Sequence, residues 1–278
     1  MHEEYYYQPE TTPEPEVYTI SALLPPSLED LELPAGYGVK GGAARAIAAY
    51  TLFGEVLPVR DVDLVALPNA DMSLARELAA KYMPDDYHTG IGAETVETIT
   101  DLISERDFTI NEVAVVGGQV FITEDAFTAL RDKKIELADE IPGNKMKAKA
   151  QLLAAALEAA DFNPTVSEEL AVDDINPFWC GLMLNRALEQ GYDVAQLYTD
   201  RINASAGTDF KSPEELAVQI LEDEGLHNVS FSYIEQVSRW CAVRGLAKVE
   251  GYDQDWEAAI ALGESAVSGS QLVIQEGY

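Results

Sequence analysis

The sequence predicts an α+β chain in two parts: a small mixed sheet with flanking helices over residues 36–139, then an all-helical region over 141–278. Three observations predict it. Between residues 37 and 139, short alternating or β-branched runs are separated by helical stretches and glycine turns. After residue 141 that alternation stops, and helix-forming runs rich in Ala, Leu, Glu and Lys take over. Residues 1–17 (MHEEYYYQPETTPEPEV) show neither pattern and read as a disordered acidic arm, in which Tyr5, Tyr6 and Tyr7 are part of the tail or a docking patch. The expected boundaries are therefore 1–17 for the arm, 18–140 for the first domain and 141–278 for the second.

Each element has its own signal. Residues 37–40 lead into Gly41-Gly42, and 43–53 read as a helix. Residues 61–67 (DVDLVAL) alternate polar and apolar and read as a strand with its acids on one face. A helix is expected over 74–82 and a strand over the β-branched 95–100 (TVETIT). Residues 113–116 and 120–122 flank Gly117-Gly118 and read as a hairpin. In the second part, 145–160 is a strong helix, and 178–189 is another, stopped by Gly191. Ser212-Pro213-Glu214-Glu215 combines a capping Ser, a first-turn Pro and a third-position Glu, opening a helix to about residue 224. A last helix is expected over 231–244, ended by Gly245.

Composition restricts the functional classes. The 278 residues are 47% hydrophobic, enough for one large core or two small ones. Acidic residues number 49 against 18 basic, a formal net charge of −31 that is spread over all three regions. Such a surface repels nucleic acid at long range, since phosphate binding draws on Lys and Arg. Two readings of the acidity stand: a salty cytoplasm that screens the repulsion, or a basic protein partner. Cys180 and Cys241 form no CxxC pair and fit buried free thiols in a reducing compartment. No apolar run approaches the length of a membrane span, and no secretion signal opens the chain. The expectation is a cytoplasmic protein without a membrane partner.

The chemistry centres on Asp61-Val62-Asp63. On a strand, residues two apart point the same way, about 6–7 Å along the chain. Two carboxylates so placed repel unless a cation lies between them. Hard oxygen ligands favour Mg²⁺, and His2, His88 and His227 are too scattered for a softer metal. A bare DxD is equally a solvated strand face. Upstream, Gly41-Gly42 at a strand end and directly before a helix leaves backbone N–H groups and the helix dipole facing one place, an anion cradle suited to a triphosphate. Arg45, one turn into that helix, adds a forked cation.

GGAAR…DVDLVAL resembles motif A of the class II tRNA nucleotidyltransferases (CCA-adding enzymes) and bacterial poly(A) polymerases, in the DNA polymerase β superfamily. The likeness continues in order. Residues 97–100 resemble the following strand, which often carries an acid; 105–111 (ERDFTIN) is similar to the family's RRDFTIN; 124–139 (EDAFTALRDKKIELAD) looks like its "D…G…DL…K…I" continuation. The resemblance implies a polymerase-β-like nucleotidyltransferase head followed by a helical neck and body. It implies Mg²⁺-dependent transfer of NMP from ATP or CTP to an acceptor hydroxyl, an RNA or tRNA 3′ end in this family. Asp61 and Asp63 would hold two magnesium ions, with Glu97 a candidate third carboxylate. Gly41, Gly42 and Arg45 would hold the triphosphate. Arg106 and Asp107 would position the sugar and the incoming nucleotide, with Asn111 bracing that segment.

The sequence departs from the family at named positions. Ala46 stands where Asp usually follows the helix Arg, and Glu105 replaces the first Arg of RRD. The helix over 145–162 matches the family's neck by spacing, but Leu152 and Ala155 stand where Arg is expected, and Lys149 is the one basic match. Lys145 and Lys149, four apart on one face, are the expected RNA contacts. The alternatives are transfer to a small molecule or protein, and a binding or structural protein built on an inactive head.

Overall fold

The computed structural model describes residues 16–82, 93–104, 106–138, 143–173 and 175–224. The tyrosine arm, all three histidines, Glu105, Cys241 and the helix expected over 231–244 lie outside them.

In chain order the elements of the first part are β1 (Val17–Ser21), β2 (Tyr37–Lys40), α1 (Gly41–Phe53), β3 (Asp63–Ala66), α2 (Ala75–Tyr82), β4 (Glu94–Thr95), α3 (Ile99–Ser104), β5 (Val113–Val116), β6 (Gln119–Thr123), α4 (Glu124–Arg131) and β7 (Lys134–Ile135). Six strands form one sheet in the order β1-β6-β5-β2-β3-β4. Only β3 and β4 run parallel, so the sheet is mixed, as expected. The hairpin forms as the Gly117-Gly118 turn predicts, pairing Val113 with Ile122. Central β2 turns one face to the core: Tyr37 and Val39 are fully buried, and α1 lays Ala43, Ile47 and Ala48 on the same core. The alanine-rich face of α1 brings its backbone close to the sheet, which is what fixes the helix start beside β3.

The second part contributes α5 (Asn144–Glu158), β8 (Thr165–Val166), α6 (Pro177–Gln190), α7 (Tyr192–Ala206) and α8 (Pro213–Glu224). Among the described residues it is helical apart from β8, which pairs in parallel with β7. Ser212 caps α8 as expected, its Oγ accepting from the Glu215 amide at 3.4 Å; the Glu215 carboxylate turns back to the Lys211 amide.

The structure corrects several element expectations. The strand expected over 95–100 is two residues long and gives way to α3. The reason is a cap: Thr98 Oγ1 accepts from the Asp101 amide at 3.1 Å and donates to the Asp101 carboxylate at 2.7 Å. That local bonding fixes a helix start and outweighs the β-branched composition. Strand β3 begins at Asp63, so Asp61 and Val62 precede it. Val17–Ser21, at the expected end of the arm, adds an edge strand against β6. Helix α7 is absent from the expectations, although Val194, Tyr198 and Ile202, at four-residue spacing, are buried.

Helix α5 is not the start of a separate core. Its Ala150, Ala154 and Leu157 are buried in the core of the sheet part, while Ala148, Leu152 and Ala155 are buried in the core built by α6, α7 and α8. Two stripes at helical spacing thus splice one helix into both cores.

Candidate nucleotide and metal site

The site is built where β2 passes into α1. The antiparallel register sets Lys40 opposite Asp63. Gly41 then turns the chain with φ +61°, a left-handed conformation that favours glycine. A Cβ on Gly41 would also stand 2.5 Å from Asp63 Oδ2, so any other residue there would displace the carboxylate. The Asp63 carboxylate therefore lies against the first residue of α1. The N-cap residue, Lys40, makes no side-chain cap, which leaves the first-turn N–H groups without that partner. With the dipole, they make an anion-attracting end. Gly42 is different: a Cβ would meet only Arg45 Nη2, at 3.8 Å. Packing does not require a glycine at 42, so the bare backbone there leaves room for a ligand to approach.

Arg45 is 7% exposed. Its Nη1 donates to the Asn111 side-chain oxygen, while its buried Nε has no hydrogen-bond partner. Burial pushes the guanidinium down to about 10, opposed by the pull of Asp61. It is still charged at neutral pH. Ala46, in the position where the resembling family carries Asp, is fully buried in the core; here the position packs.

Asp61 is held by its neighbour Arg60, whose Nε donates to Oδ2 at 2.9 Å, and its side chain is 40% exposed. The two acids thus flank the start of α1, Asp63 at Gly41 and Asp61 within electrostatic reach of Arg45. Among the described residues no group of three or more His, Cys, Asp or Glu stands ready for a metal ion. Mg²⁺ does not need one, since it is usually held by one or two carboxylates together with waters and substrate phosphates. A half-exposed pair of carboxylates beside an anion-attracting helix end fits that requirement.

Glu97 sits exposed in the bend between β4 and α3, not on the strand expected for it. The acid on β4 is Glu94, opposite Val65, and it pairs with Lys40. Lys40 and Glu94 carry no distinguishing sequence signal: β4 is too short for its alternation to show which acid faces β3. Asn111 is brought to the site through Arg45. Arg106 is partly buried at the start of the same segment. Asp107 receives an ion pair from Lys149 of α5.

That pair bears on the expected RNA contacts. Lys149 is engaged with Asp107, Lys147 with Asp173, and Lys145 lies over the Trp179 ring, 5.5 Å from its centroid. Instead of an open basic face, α5 presents lysines that already have partners, an acid for Lys147 and Lys149 and an aromatic ring for Lys145.

No protein-family model matches the chain, and no curated protein matches it. Among solved structures, the chain is similar to a tRNA-processing enzyme in an apo form, at 16% identity over 80% of this chain and 72% of that one, with a TM-score of 0.41. A tRNA-processing enzyme with CTP aligns at 16% identity over 80% and 66%, TM-score 0.38. The Thermotoga maritima CCA-adding enzyme in complex with tRNA aligns at 14% over 80% and 60%, TM-score 0.34. No helix among the described residues is long and apolar enough to cross a membrane.

Proposed function

We propose that the chain is a Mg²⁺-dependent nucleotidyltransferase that moves NMP from ATP or CTP to an acceptor hydroxyl, with an RNA 3′ end as the first acceptor to test. The observation that carries this reading is the placement of Asp63 against Gly41 at the uncapped start of α1, with the buried, charged Arg45 one turn further on. A motif resemblance alone does not require Asp63 and Gly41 to meet; their approach through the β2–β3 register supports the reading.

On this reading the N–H groups of Gly41 and Gly42 and the Arg45 guanidinium take the triphosphate oxygens. Asp61 and Asp63 hold Mg²⁺, which supplies charge to lower the acceptor hydroxyl's pKa and to neutralise the leaving pyrophosphate. The acceptor oxygen bonds to the α-phosphorus, the bond from that phosphorus to the α,β-bridging oxygen breaks, and the acceptor proton passes to a carboxylate or to water. Arg106 and Asp107 position the sugar, and Asn111 steadies both Arg45 and its own segment. Lys40, at the same turn, is paired with Glu94.

A second reading keeps the head chemistry and replaces RNA by a small-molecule or protein hydroxyl. It is favoured by the engagement of Lys145, Lys147 and Lys149 within the chain. Incubating the protein with each α-labelled NTP, Mg²⁺ and an RNA pool separates the readings. Label on RNA supports the first, and label on the protein or on a small acceptor supports the second. Absence of Mg²⁺-dependent NTP binding sinks both and leaves a binding or structural protein.

A further inference from the structure

We propose that Lys149 is a positioning residue, which holds Asp107 and through it ties the helical part of the chain to the nucleotide site. The function of that tie rests on the reading above; its structural core does not. The segment over 106–111 is anchored at both ends. At its far end Asn111 accepts from Arg45 of α1. At its near end the Asp107 carboxylate meets Lys149, and the side chains of both are about one-third exposed. The backbone between is held by the stretch just after β7: the Thr109 amide donates to Glu136 O at 3.1 Å, and the Ala138 amide to Asp107 O at 3.3 Å. Among the described residues, it is Lys149 that grips Asp107 from outside this part of the fold.

What makes the grip more than a surface ion pair is the helix that carries it. On α5, Lys149 lies between Ala148, buried in the helical core, and Ala150, buried in the core of the sheet. The backbone of Lys149 is therefore fixed from two sides, and a shift of the helical core moves its ammonium relative to Asp107. An RNA phosphate contact would need the same ammonium free. The two roles therefore make opposite demands on Lys149.

The test compares wild type with Lys149→Gln and Lys149→Arg in the full chain. It reads amide exchange over residues 106–111 and 138, KM and kcat for Mg·ATP and Mg·CTP, and the salt dependence of RNA binding. Positioning predicts that Lys149→Gln speeds exchange at Thr109 and Ala138 and raises KM by roughly three- to fivefold, with kcat within about twofold, the size of a partly exposed pair. Lys149→Arg restores both, and the salt slope is unchanged. Asp107→Asn, which removes the other half of the pair, should speed the same amides if Lys149→Gln proves unstable. Unchanged exchange in the two charge-removing variants overturns the proposal. So does an unchanged KM, or a salt slope for RNA that falls by about one, the mark of a lost phosphate contact. If wild type transfers no NMP, the functional reading fails and exchange alone decides: faster in Lys149→Gln keeps the tie, unchanged removes it.

Discussion

Replacing Arg45 by Met should make the protein more stable and worse at binding a nucleotide. The guanidinium is 7% exposed, and burial lowers it from its ordinary value to about 10. At 1.36 kcal/mol per unit, holding that charge inside the fold costs about 3 kcal/mol. The cost is fully present at pH 7, where the group is protonated both folded and unfolded. It is relieved as pH rises through about 10, because the folded protein then releases the proton before the unfolded chain does. Against this stands the bond from Arg45 to Asn111, and losing a charged hydrogen bond costs about 1.5 kcal/mol or more. The net expectation is a gain of about 1–2 kcal/mol, or roughly 2–4 °C in Tm per kcal/mol. Thermal and urea unfolding at neutral pH measure it. Isothermal titration with Mg·ATP should show affinity down by roughly 10- to 100-fold, one charge-assisted phosphate contact. A variant destabilised by more than about 1 kcal/mol, or one that binds Mg·ATP like wild type, would refute the reasoning: Arg45 would then be a structural cation.

Three further outcomes are expected. Gly42→Ala should leave stability within about 1 kcal/mol of wild type and weaken triphosphate binding, whereas Gly41→Ala should cost about 1–2 kcal/mol from its positive φ and displace the Asp63 carboxylate; equal effects at both glycines on folding and binding would contradict the assignment. Thr98→Ala should cost about 1 kcal/mol by uncapping α3, read as faster amide exchange at Asp101 and Leu102. Raising KCl from about 0.1 to about 1 M shortens screening from roughly 10 Å to roughly 3 Å and should raise Tm, since a net charge of −31 makes repulsion outweigh the surface pairs; a falling Tm would show the ion pairs dominate.

What the sequence displayed well was whatever rests on local chemistry. The glycine turn before α1, the hairpin at Gly117-Gly118 and the Ser212 cap each need only a few neighbouring residues, and each forms. What it hid depends on residues far apart in the chain. The Asp63–Gly41 approach follows from the β2–β3 register, and the Arg45–Asn111 bond from α1 packing against the segment near β5. Thr98 carried a legible cap signal, TITD, that the β-branched run TVETIT masks. For Lys145 and Lys149, helical spacing puts both on one face, but spacing does not reveal that Trp179 and Asp107 meet them. Ala46 and Leu152 depart from the family and are buried, so in this fold both serve packing.

The central claim is that Asp61 and Asp63 hold the metal for a bound triphosphate. Mn²⁺, in place of Mg²⁺, reports it by electron paramagnetic resonance. In high K⁺, which suppresses loose binding to the acidic surface, Mn²⁺ binding should rise when a nonhydrolysable ATP or CTP analogue is added to wild type. That nucleotide-dependent increment should vanish in Asp61→Asn and in Asp63→Asn, with both variants folded by circular dichroism. An increment of wild-type size in both variants would place the metal elsewhere and contradict the account.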